Sequence, residues 1–261
     1  MTRVSEVFDA ERRTALVAYV TVGYPTVDAT LELVPLLVEN GCDIVELGIP
    51  FSDPLADGAT IQKASHVALE NGVTPDVCLD VASRLSARVE CPLLFMSYYN
   101  PILHRGLDAF CDACTHANVG GLIVPDLPPE EGGELELAAR SRDLSLVYLL
   151  APTATDERVR LVAEHSTGFI YLVSLAGVTG ARSELPSGLE NFVERVRAVA
   201  KQPLCVGFGV SSAQQAARVA SMADGVIVGS RILQLAEEDS TLKSAAGFVR
   251  GLRSAVDRAS G

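Results

Sequence analysis

Glu46 is the first residue of the sequence whose type and position suggest chemistry. It lies inside the apolar stretch IVELGI, and a second acid, Asp57, follows eleven residues later in SDPLADG. A buried carboxylate without a partner is costly, and its pKa is raised towards neutrality. Because carboxyl groups with raised pKa values serve as general acids and bases, we expect Glu46 to be a catalytic residue.

Each acid also has an ordinary structural explanation. Glu46 could form an ion pair, but none of the strand-like stretches contains Lys, Arg or His, and the nearest candidate cation is Arg231. Asp53 and Asp57 lie among Pro and Gly and could simply form a turn. A loop that leaves a strand and starts a helix near Thr60 would bring Asp57 back towards Glu46, which favours a catalytic role for Asp57.

Glycine clusters in the last third of the chain could bind a phosphate. They are AGVTG at 176–180, GFG at 207–209 and GSR at 229–231. Glycine lets backbone N–H groups approach an anion, and Ser230 adds a hydroxyl donor. Turns alone would explain each glycine, but three clusters after the last three strand-like stretches favour phosphate binding.

Two common routes for breaking a carbon–carbon bond beside a hydroxyl group lack their residues. A Schiff base needs a lysine at the site, and a metal Lewis acid needs a set of ligands. The three lysines (Lys63, Lys201 and Lys243) and the four histidines fall in predicted helices or loops, away from the acids. Proton transfer by carboxylates remains, aided by Tyr171 and a phosphate anchor.

Eight short apolar strands, alternating with helices, must position these residues. The strands are predicted at 15–21, 43–49, 93–97, 121–125, 145–150, 169–174, 204–209 and 225–229, with helices between them such as 29–41 and 212–222. Near-continuous apolar strands between helices predict parallel strands buried on both faces. Eight of them fit a (β/α)8 barrel, one domain spanning 1–261. Alternation then points Glu46 into the barrel and packs Val45 and Leu47 under the helices.

Composition bounds the class of protein. The 261 residues are 48% hydrophobic and carry a formal net charge of −12, which disfavours a nucleic-acid partner. The N-terminal stretch MTRVSEVFDAERR has no signal-peptide core, and no apolar run of about 18 residues occurs, so we expect a cytoplasmic protein without a membrane segment. The six cysteines are expected to be reduced core residues, including the C-x-x-C pair Cys111 and Cys114.

Six motifs, in order over nearly the whole chain, resemble those of the tryptophan synthase alpha subunit family. They are ELGIPFSDPLADGATIQ, YYNPI, VPDLPPEE, YLVSLAGVTG, VGFGVSS and VIVGSRI. The resemblance implies a (β/α)8 barrel that cleaves indole-3-glycerol phosphate to indole and glyceraldehyde 3-phosphate in a retro-aldol reaction. This agrees with the missing lysine and metal ligands, because an indole ring protonated at C3 is itself an electron sink.

The resemblance also implies a role for each site residue. Glu46 would protonate indole C3 and accept the proton of the glycerol hydroxyl, Asp57 would stabilise the cationic indolenine through its ring N–H, and Tyr171 would pack beside Glu46. The substrate phosphate would be bound by Gly180, Gly209, Gly229 and Ser230. The indole pocket and its mobile loop would comprise residues that are otherwise ordinary core residues or loop residues: Tyr19, Ile61, Leu94, Met96, Leu122, Phe208 and Thr179.

The family implies a partner as well. Its alpha subunit docks on a pyridoxal-phosphate beta subunit in an α2β2 heterotetramer, with Asp53, Pro54 and Asn100 matching positions near the contact. The pyridoxal phosphate would belong to the partner, and this chain is expected to hold no cofactor and no metal of its own.

One departure from the family pattern leaves alternatives open. Leu175 follows Ser174 where many members carry Arg, which bears on loop closure and on coupling between subunits. A free-standing indole-3-glycerol-phosphate lyase would use the same catalytic residues. A weakly active regulatory subunit that activates its beta partner is the other alternative. An unrelated phosphate-sugar barrel is disfavoured, because both acids lie in one long family-specific motif.

Overall fold

Parallel strands form the centre of the molecule. A computed structural model describes residues 4–9, 13–173, 188–207 and 209–260. The strands of this part of the chain are β1 Ala15–Thr21, β2 Ile44–Gly48, β3 Leu93–Met96, β4 Val119–Ile123, β5 Ser145–Val147, β6 Leu149–Leu150, β7 Ile170–Val173, β8 Leu204–Gly207 and β9 Gly225–Val228. They form one sheet in the order β5-β4-β3-β2-β1-β9-β8-β7-β6, and each neighbouring pair is parallel.

Helices connect the strands, as the apolar spacing predicts. They are α1 Glu6–Asp9, α2 Val27–Glu39, α3 Ala59–Glu70, α4 Pro75–Ser86, α5 Tyr99–Arg105, α6 Leu107–His116, α7 Gly133–Arg140, α8 Asp156–His165, α9 Leu189–Arg197, α10 Ala213–Ala220, α11 Ser230–Glu238 and α12 Lys243–Ser260, with a 3₁₀ turn at Pro129–Glu131. Hydroxyl caps begin several of them: Thr26 accepts the N–H of Ala29, and Ser212 accepts that of Gln215. None of the helices described is long and apolar enough to cross a membrane.

The prediction of one strand at 145–150 is wrong in detail, because this stretch is split in two at Tyr148. β5 pairs with β4 and β6 pairs with β7, so the two ends of the sheet meet across this single residue. The Tyr148 N–H donates to the hydroxyl of Ser166 at 3.2 Å instead of to a strand carbonyl. Because this one stretch of chain pairs with both end strands of the sheet, the strands close into a barrel, and the predicted (β/α)8 fold is confirmed.

Two hydrophobic cores lie on the two sides of the strands. Val45 and Leu47 belong to the large outer core under the helices, as predicted. The inner core fills the barrel below Glu46, and α1 covers its lower end, where the Phe8 and Phe169 rings lie 6.0 Å apart. The buried members of the inner core are Val4, Val17, Ile44, Leu94, Ile123, Val147, Phe169, Cys205 and Ile227.

Cys111 and Cys114 are both fully buried in the outer core on α6. This location agrees with their interpretation as packing residues. Among the residues described, no group of three or more His, Cys, Asp or Glu side chains is placed to hold a metal ion.

Asp43 ties the first two strands to the last helix at the N-terminal edge of the barrel. Its Oδ2 accepts the Leu16 N–H at 2.8 Å and pairs with Arg253 Nη1 of α12 at 3.0 Å. Arg253 also donates to the carbonyl of Thr14 at 3.1 Å, and its side chain is only 9% exposed. Arg13 pairs with the same carboxylate. Arg253 Nη2 also pairs with Asp257 on α12 at 2.5 Å, so Asp43 provides the contact of this guanidinium with the strands and Asp257 the contact within its own helix.

Asp43→Ala is therefore expected to lower the free energy of unfolding by about 1.5–3 kcal/mol, because its hydrogen bonds with the Leu16 N–H and with Arg253 are lost. The control is Asp80→Ala, which removes the exposed pair with Arg84 on one face of α4 and is expected to cost about 0–1 kcal/mol. Urea unfolding of both variants at neutral pH measures the difference. Equal, small effects would show that Asp43 does not hold α12 to the barrel.

Candidate active site

Glu46 lies at the middle of β2 with its side chain inside the barrel, as alternation predicts. It is level with Tyr19 on β1 and Leu94 on β3, and it is 0% exposed. Neither carboxyl oxygen has a hydrogen-bond partner among the residues described. Burial in these surroundings raises its pKa from 4.5 to about 8, which keeps the group largely protonated at neutral pH.

The cation that could have neutralised Glu46 is engaged elsewhere. Arg231 lies on α11, where its Nη1 donates to Gln234 at 3.2 Å and to Glu238 at 3.3 Å. Lys63, on α3, pairs with Glu237 on α11. These contacts favour a functional explanation of Glu46 over a structural ion pair.

Tyr19 and Tyr171 flank Glu46, and each ring lies across a glycine of the next strand. A Cβ atom on Gly48 would lie 2.2 Å from the Tyr19 hydroxyl oxygen, and one on Gly207 would lie 2.5 Å from that of Tyr171. Both glycines thus make room for a ring at the barrel mouth. Burial raises the pKa of each tyrosine, and the negative charges of Glu46 and Asp57 raise it further. The phenols therefore remain protonated.

Asp57 belongs to the loop 51–58 that connects β2 to α3. Its N–H donates to the Pro54 carbonyl at 3.0 Å, so it is part of a turn, as its neighbours in the sequence suggest. Its Oδ2 nevertheless accepts a hydrogen bond from the Tyr98 hydroxyl at 3.1 Å. Burial raises the Asp57 pKa to about 6, and the hydrogen bond from Tyr98 opposes that rise. Asp57 is thus a turn residue, and its carboxylate is hydrogen-bonded to Tyr98 at the barrel mouth.

The predicted phosphate-binding residues lie only partly in the region described. Gly229 is the N-cap of α11 and Ser230 is its first residue, with no side chain capping the helix. An uncapped helix start leaves backbone N–H groups free for an anion. Gly209 follows β8 with a φ of +52°, where glycine is favoured, and a Cβ atom at this position would meet no atom of the described residues within 4 Å. Gly180 lies outside the described residues.

Most of the predicted indole-pocket residues that can be described lie together. Tyr19, Ile61 and Met96 share one cluster at the barrel mouth, and Leu94 lies beside Glu46 in the inner core. Phe208 and Thr179 lie outside the described residues, as does Leu175.

The prediction for Leu122 is wrong, because its side chain packs in the outer core under the helices. An irregularity in the β3–β4 register pairs Leu93 with Val119 but Leu94 with Gly121. The extra residue shifts the alternation, so that Ile123 of β4 faces the interior instead.

The predicted interface residues lie on the surface beside the barrel mouth. Asp53 and Asn100 are exposed and Pro54 is partly exposed. Two apolar side chains missed by the sequence reasoning lie on the same two segments: Leu55 is 92% exposed in the loop 51–58, and Leu103 is 52% exposed on α5. The sequence did contain a signal for Leu55: it lies inside the turn-forming segment SDPLADG. Turns of this kind lie on the surface, so an apolar side chain within one is expected to be exposed.

Tyr98 is the site residue that the sequence reasoning missed. It directly precedes α5 and is 7% exposed, with its hydroxyl on Asp57. The motif YYNPI contains it, but nothing in the motif distinguishes Tyr98 from Tyr99. The hydrogen-bond partner of the Tyr98 hydroxyl depends on how the loop 51–58 packs against Tyr98, and the sequence of the motif does not contain this information.

Comparison with known proteins identifies the family. The model of the tryptophan synthase alpha chain family matches residues 6–254. The chain belongs to this family. It is 57% identical over 257 residues to the tryptophan synthase alpha chain of Dehalococcoides mccartyi, covering 98% of this chain and 100% of that one. It is 46% identical over 265 residues to that of Chloroflexus aggregans, covering 99% of each chain.

Solved structures of the family agree. Mycobacterium tuberculosis tryptophan synthase superposes with a TM-score of 0.92 at 40% identity, covering 98% of each chain. The tryptophan synthase subunit alpha of Legionella pneumophila superposes with a TM-score of 0.91 at 34% identity, covering 99% of each chain. The fold and the family inferred from the motifs are therefore confirmed.

Glu46→Gln is expected to remove a pH-dependent loss of stability. The folded pKa of about 8 exceeds the ordinary 4.5, so the folded state binds more protons and stability falls as pH rises between these values. Between about pH 5 and 9 the wild type should lose on the order of 3–5 kcal/mol relative to Glu46→Gln.

Urea unfolding at several pH values measures this loss. Glu70→Gln is the control, because the Glu70 side chain is 65% exposed on α3. It should follow the wild type at every pH. If Glu46→Gln also follows the wild type, the Glu46 carboxyl is not held uncharged by burial.

Proposed function

We propose that Glu46, Asp57 and Tyr171 cleave the carbon–carbon bond of indole-3-glycerol phosphate. The chain is a carbon–carbon lyase of the tryptophan synthase alpha chain family, and the reaction releases indole and glyceraldehyde 3-phosphate. The observation that carries the assignment is the Glu46 carboxyl, which is buried at the mouth of the barrel, where the chemistry of such folds occurs, and has no hydrogen-bond partner among the described residues.

Glu46 moves both protons in this proposal. Its protonated carboxyl donates to C3 of the indole ring, which turns the ring into a cationic indolenine. The carboxylate then accepts the proton of the adjacent glycerol hydroxyl while the carbon–carbon bond breaks. The bonding electrons return to the ring, so indole and an aldehyde leave, and Glu46 ends protonated. A pKa of about 8 supports both steps, because the group is protonated at the start and basic afterwards.

Asp57 provides a negatively charged carboxylate, whereas Glu46 provides a protonated carboxyl group. With a pKa of about 6 it is a carboxylate at neutral pH, suited to accept the ring N–H and stabilise the cationic indolenine. Two acids with separated pKa values thus divide acid and anion between them, as in other sites with paired carboxyls. Thr179 would contact Asp57 when its loop closes.

The rest of the substrate would be held by the two sides of the barrel mouth. Backbone N–H groups at Gly180, Gly209 and Gly229, with the start of α11 at Ser230, would bind the phosphate. Tyr19, Ile61, Leu94, Met96 and Phe208 would surround the indole ring, and Tyr171 would pack beside Glu46.

A beta chain of tryptophan synthase is the proposed partner, in an assembly of two copies of each. The exposed Leu55 and Leu103 beside Asp53, Pro54 and Asn100 support a docking face at the barrel mouth. Such a face would let indole pass directly to the partner. The pyridoxal phosphate would belong to the partner, since no step proposed for this chain uses a Schiff base.

Substitution of the two acids tests the catalytic assignment. Glu46→Gln is expected to lower kcat roughly 10² to 10⁴-fold with little change in KM, because positioned proton transfer is lost. The pH profile of wild-type kcat/KM should be bell-shaped, with limbs near 6 and 8 from Asp57 and Glu46. Asp57→Asn should remove the acid limb. Indole release by Glu46→Gln at the wild-type rate would contradict the assignment.

Addition of a tryptophan synthase beta chain tests the partner. Coelution in size exclusion and faster indole release are expected. Leu103→Asp should weaken the affinity for the beta chain at least tenfold. Leu137, which is 69% exposed on α7, provides the control, and Leu137→Asp should leave the affinity unchanged. Indole release with no effect of the partner would favour the free-standing lyase. Activation of the partner by a chain that releases almost no indole would favour the regulatory subunit.

A further inference from the structure

Tyr98 makes three contacts with the loop 51–58. Its hydroxyl donates to Asp57 Oδ2 at 3.1 Å and accepts the N–H of Ala56 at 2.9 Å. Its ring stacks on Phe51, with centroids 5.1 Å apart and planes 27° apart. The contacts thus reach the first residue of the loop and the residues just before α3.

Hydrogen bonds between near neighbours in the sequence also shape the loop: the Asp57 N–H donates to the Pro54 carbonyl at 3.0 Å, and the Gln62 side chain on α3 donates to the Asp57 carbonyl at 2.9 Å. These bonds hold the Asp57 backbone and do not reach its carboxylate. Ser52, Asp53, Leu55 and Ala56 are exposed, so the middle of the loop packs on no core. Tyr98, by contrast, is separated from the end of β3 by Ser97 alone and is followed directly by α5. Its backbone is therefore held by the barrel. Tyr98 thereby links the Asp57 carboxylate directly to the barrel wall.

We propose that Tyr98 is a positioning residue that aims the Asp57 carboxylate at the indole ring. The inference rests on the proposed function, because it concerns the same carboxylate. Tyr98 occupies Oδ2 and leaves Oδ1 to accept the ring N–H. Because the hydroxyl both donates to Asp57 and accepts from Ala56, it fixes the carboxylate and the backbone beside it together.

Several titratable groups face Asp57 besides Tyr98. The negative charge of Asp57 raises the pKa values of Tyr19 on β1 and Tyr171 on β7. The charge of Glu46 on β2 raises the pKa values of the same two tyrosines. Of these, the Tyr98 hydroxyl is the group hydrogen-bonded to the Asp57 carboxylate. A hydrogen bond to the charged form lowers the pKa of a carboxyl, so its removal has a defined sign.

Tyr98→Phe tests the proposal, with Tyr99→Phe as the matched control one residue away. Loss of a hydrogen bond to a charged group should lower kcat/KM for indole-3-glycerol phosphate about tenfold. The acid limb of the pH profile should move to higher pH, because the Asp57 pKa rises. Tyr99→Phe should leave both unchanged. Phe51→Leu removes the ring stacked on Tyr98 but keeps the Tyr98 hydroxyl. It should lower kcat/KM less than Tyr98→Phe does and shift the acid limb of the pH profile less.

A second readout does not depend on turnover. Carbon-13 NMR of labelled aspartate, with Asp57 assigned through Asp57→Asn, should show the Asp57 titration moved to higher pH in Tyr98→Phe but not in Tyr99→Phe. Wild-type kinetics and an unmoved Asp57 titration in Tyr98→Phe would overturn the proposal. If the wild type releases no indole, the proposed function fails, and the Asp57 titration still decides whether Tyr98 holds the carboxylate.

Discussion

The carboxyl group of Glu46 is held inside the barrel with neither oxygen hydrogen-bonded in the part of the chain described, and the free energy that this costs must come from the rest of the fold. The surroundings supply it through apolar packing, since Leu94 and Ile44 lie in the inner core next to this carboxyl. The same apolar surroundings raise its pKa to about 8. Burial of this carboxyl group thus lowers the stability of the fold and keeps the group protonated at neutral pH.

The proposed catalytic residues and the buried ion pair of Asp43 and Arg253 lie at opposite ends of the barrel. At the N-terminal edge, Asp43 and Arg253 join β1, β2 and α12 through a largely buried ion pair. At the C-terminal edge, tyrosine rings, glycines and Tyr98 surround two acids whose pKa values are both raised. The separation lets the mouth tolerate buried polar groups, because the far end holds the strands together.

Local patterns were sufficient where a period of two or a cluster of turn-forming residues decided the outcome. Alternation along β2 predicted the inward direction of Glu46, and the motif predicted Asp57 on a turn before α3. The pocket assignment of Leu122, which rested on the family resemblance, is wrong, because an irregular register between β3 and β4 turns its side chain to the outer core. Such an irregularity depends on two strands at once, and neither sequence alone contains it.

Long-range contacts account for the other omissions. The break at Tyr148 reflects its bond to Ser166 and the meeting of the two sheet ends. The Tyr98 hydroxyl is hydrogen-bonded to Asp57, about forty residues earlier in the chain. The roles of Gly48 and Gly207 follow from the tyrosines of neighbouring strands. In each case the decisive partner is distant in sequence and close only in the fold.

The protonation state of Glu46 tests the central claim most directly. Infrared difference spectra between the wild type and Glu46→Gln, recorded without substrate, isolate the carboxyl of this residue. We expect a protonated carboxylic acid C=O band at pH 7 that converts to a carboxylate band with a midpoint near 8. A carboxylate band already present at about pH 6 would contradict the account, because it would show that Glu46 is solvated or paired like an ordinary glutamate.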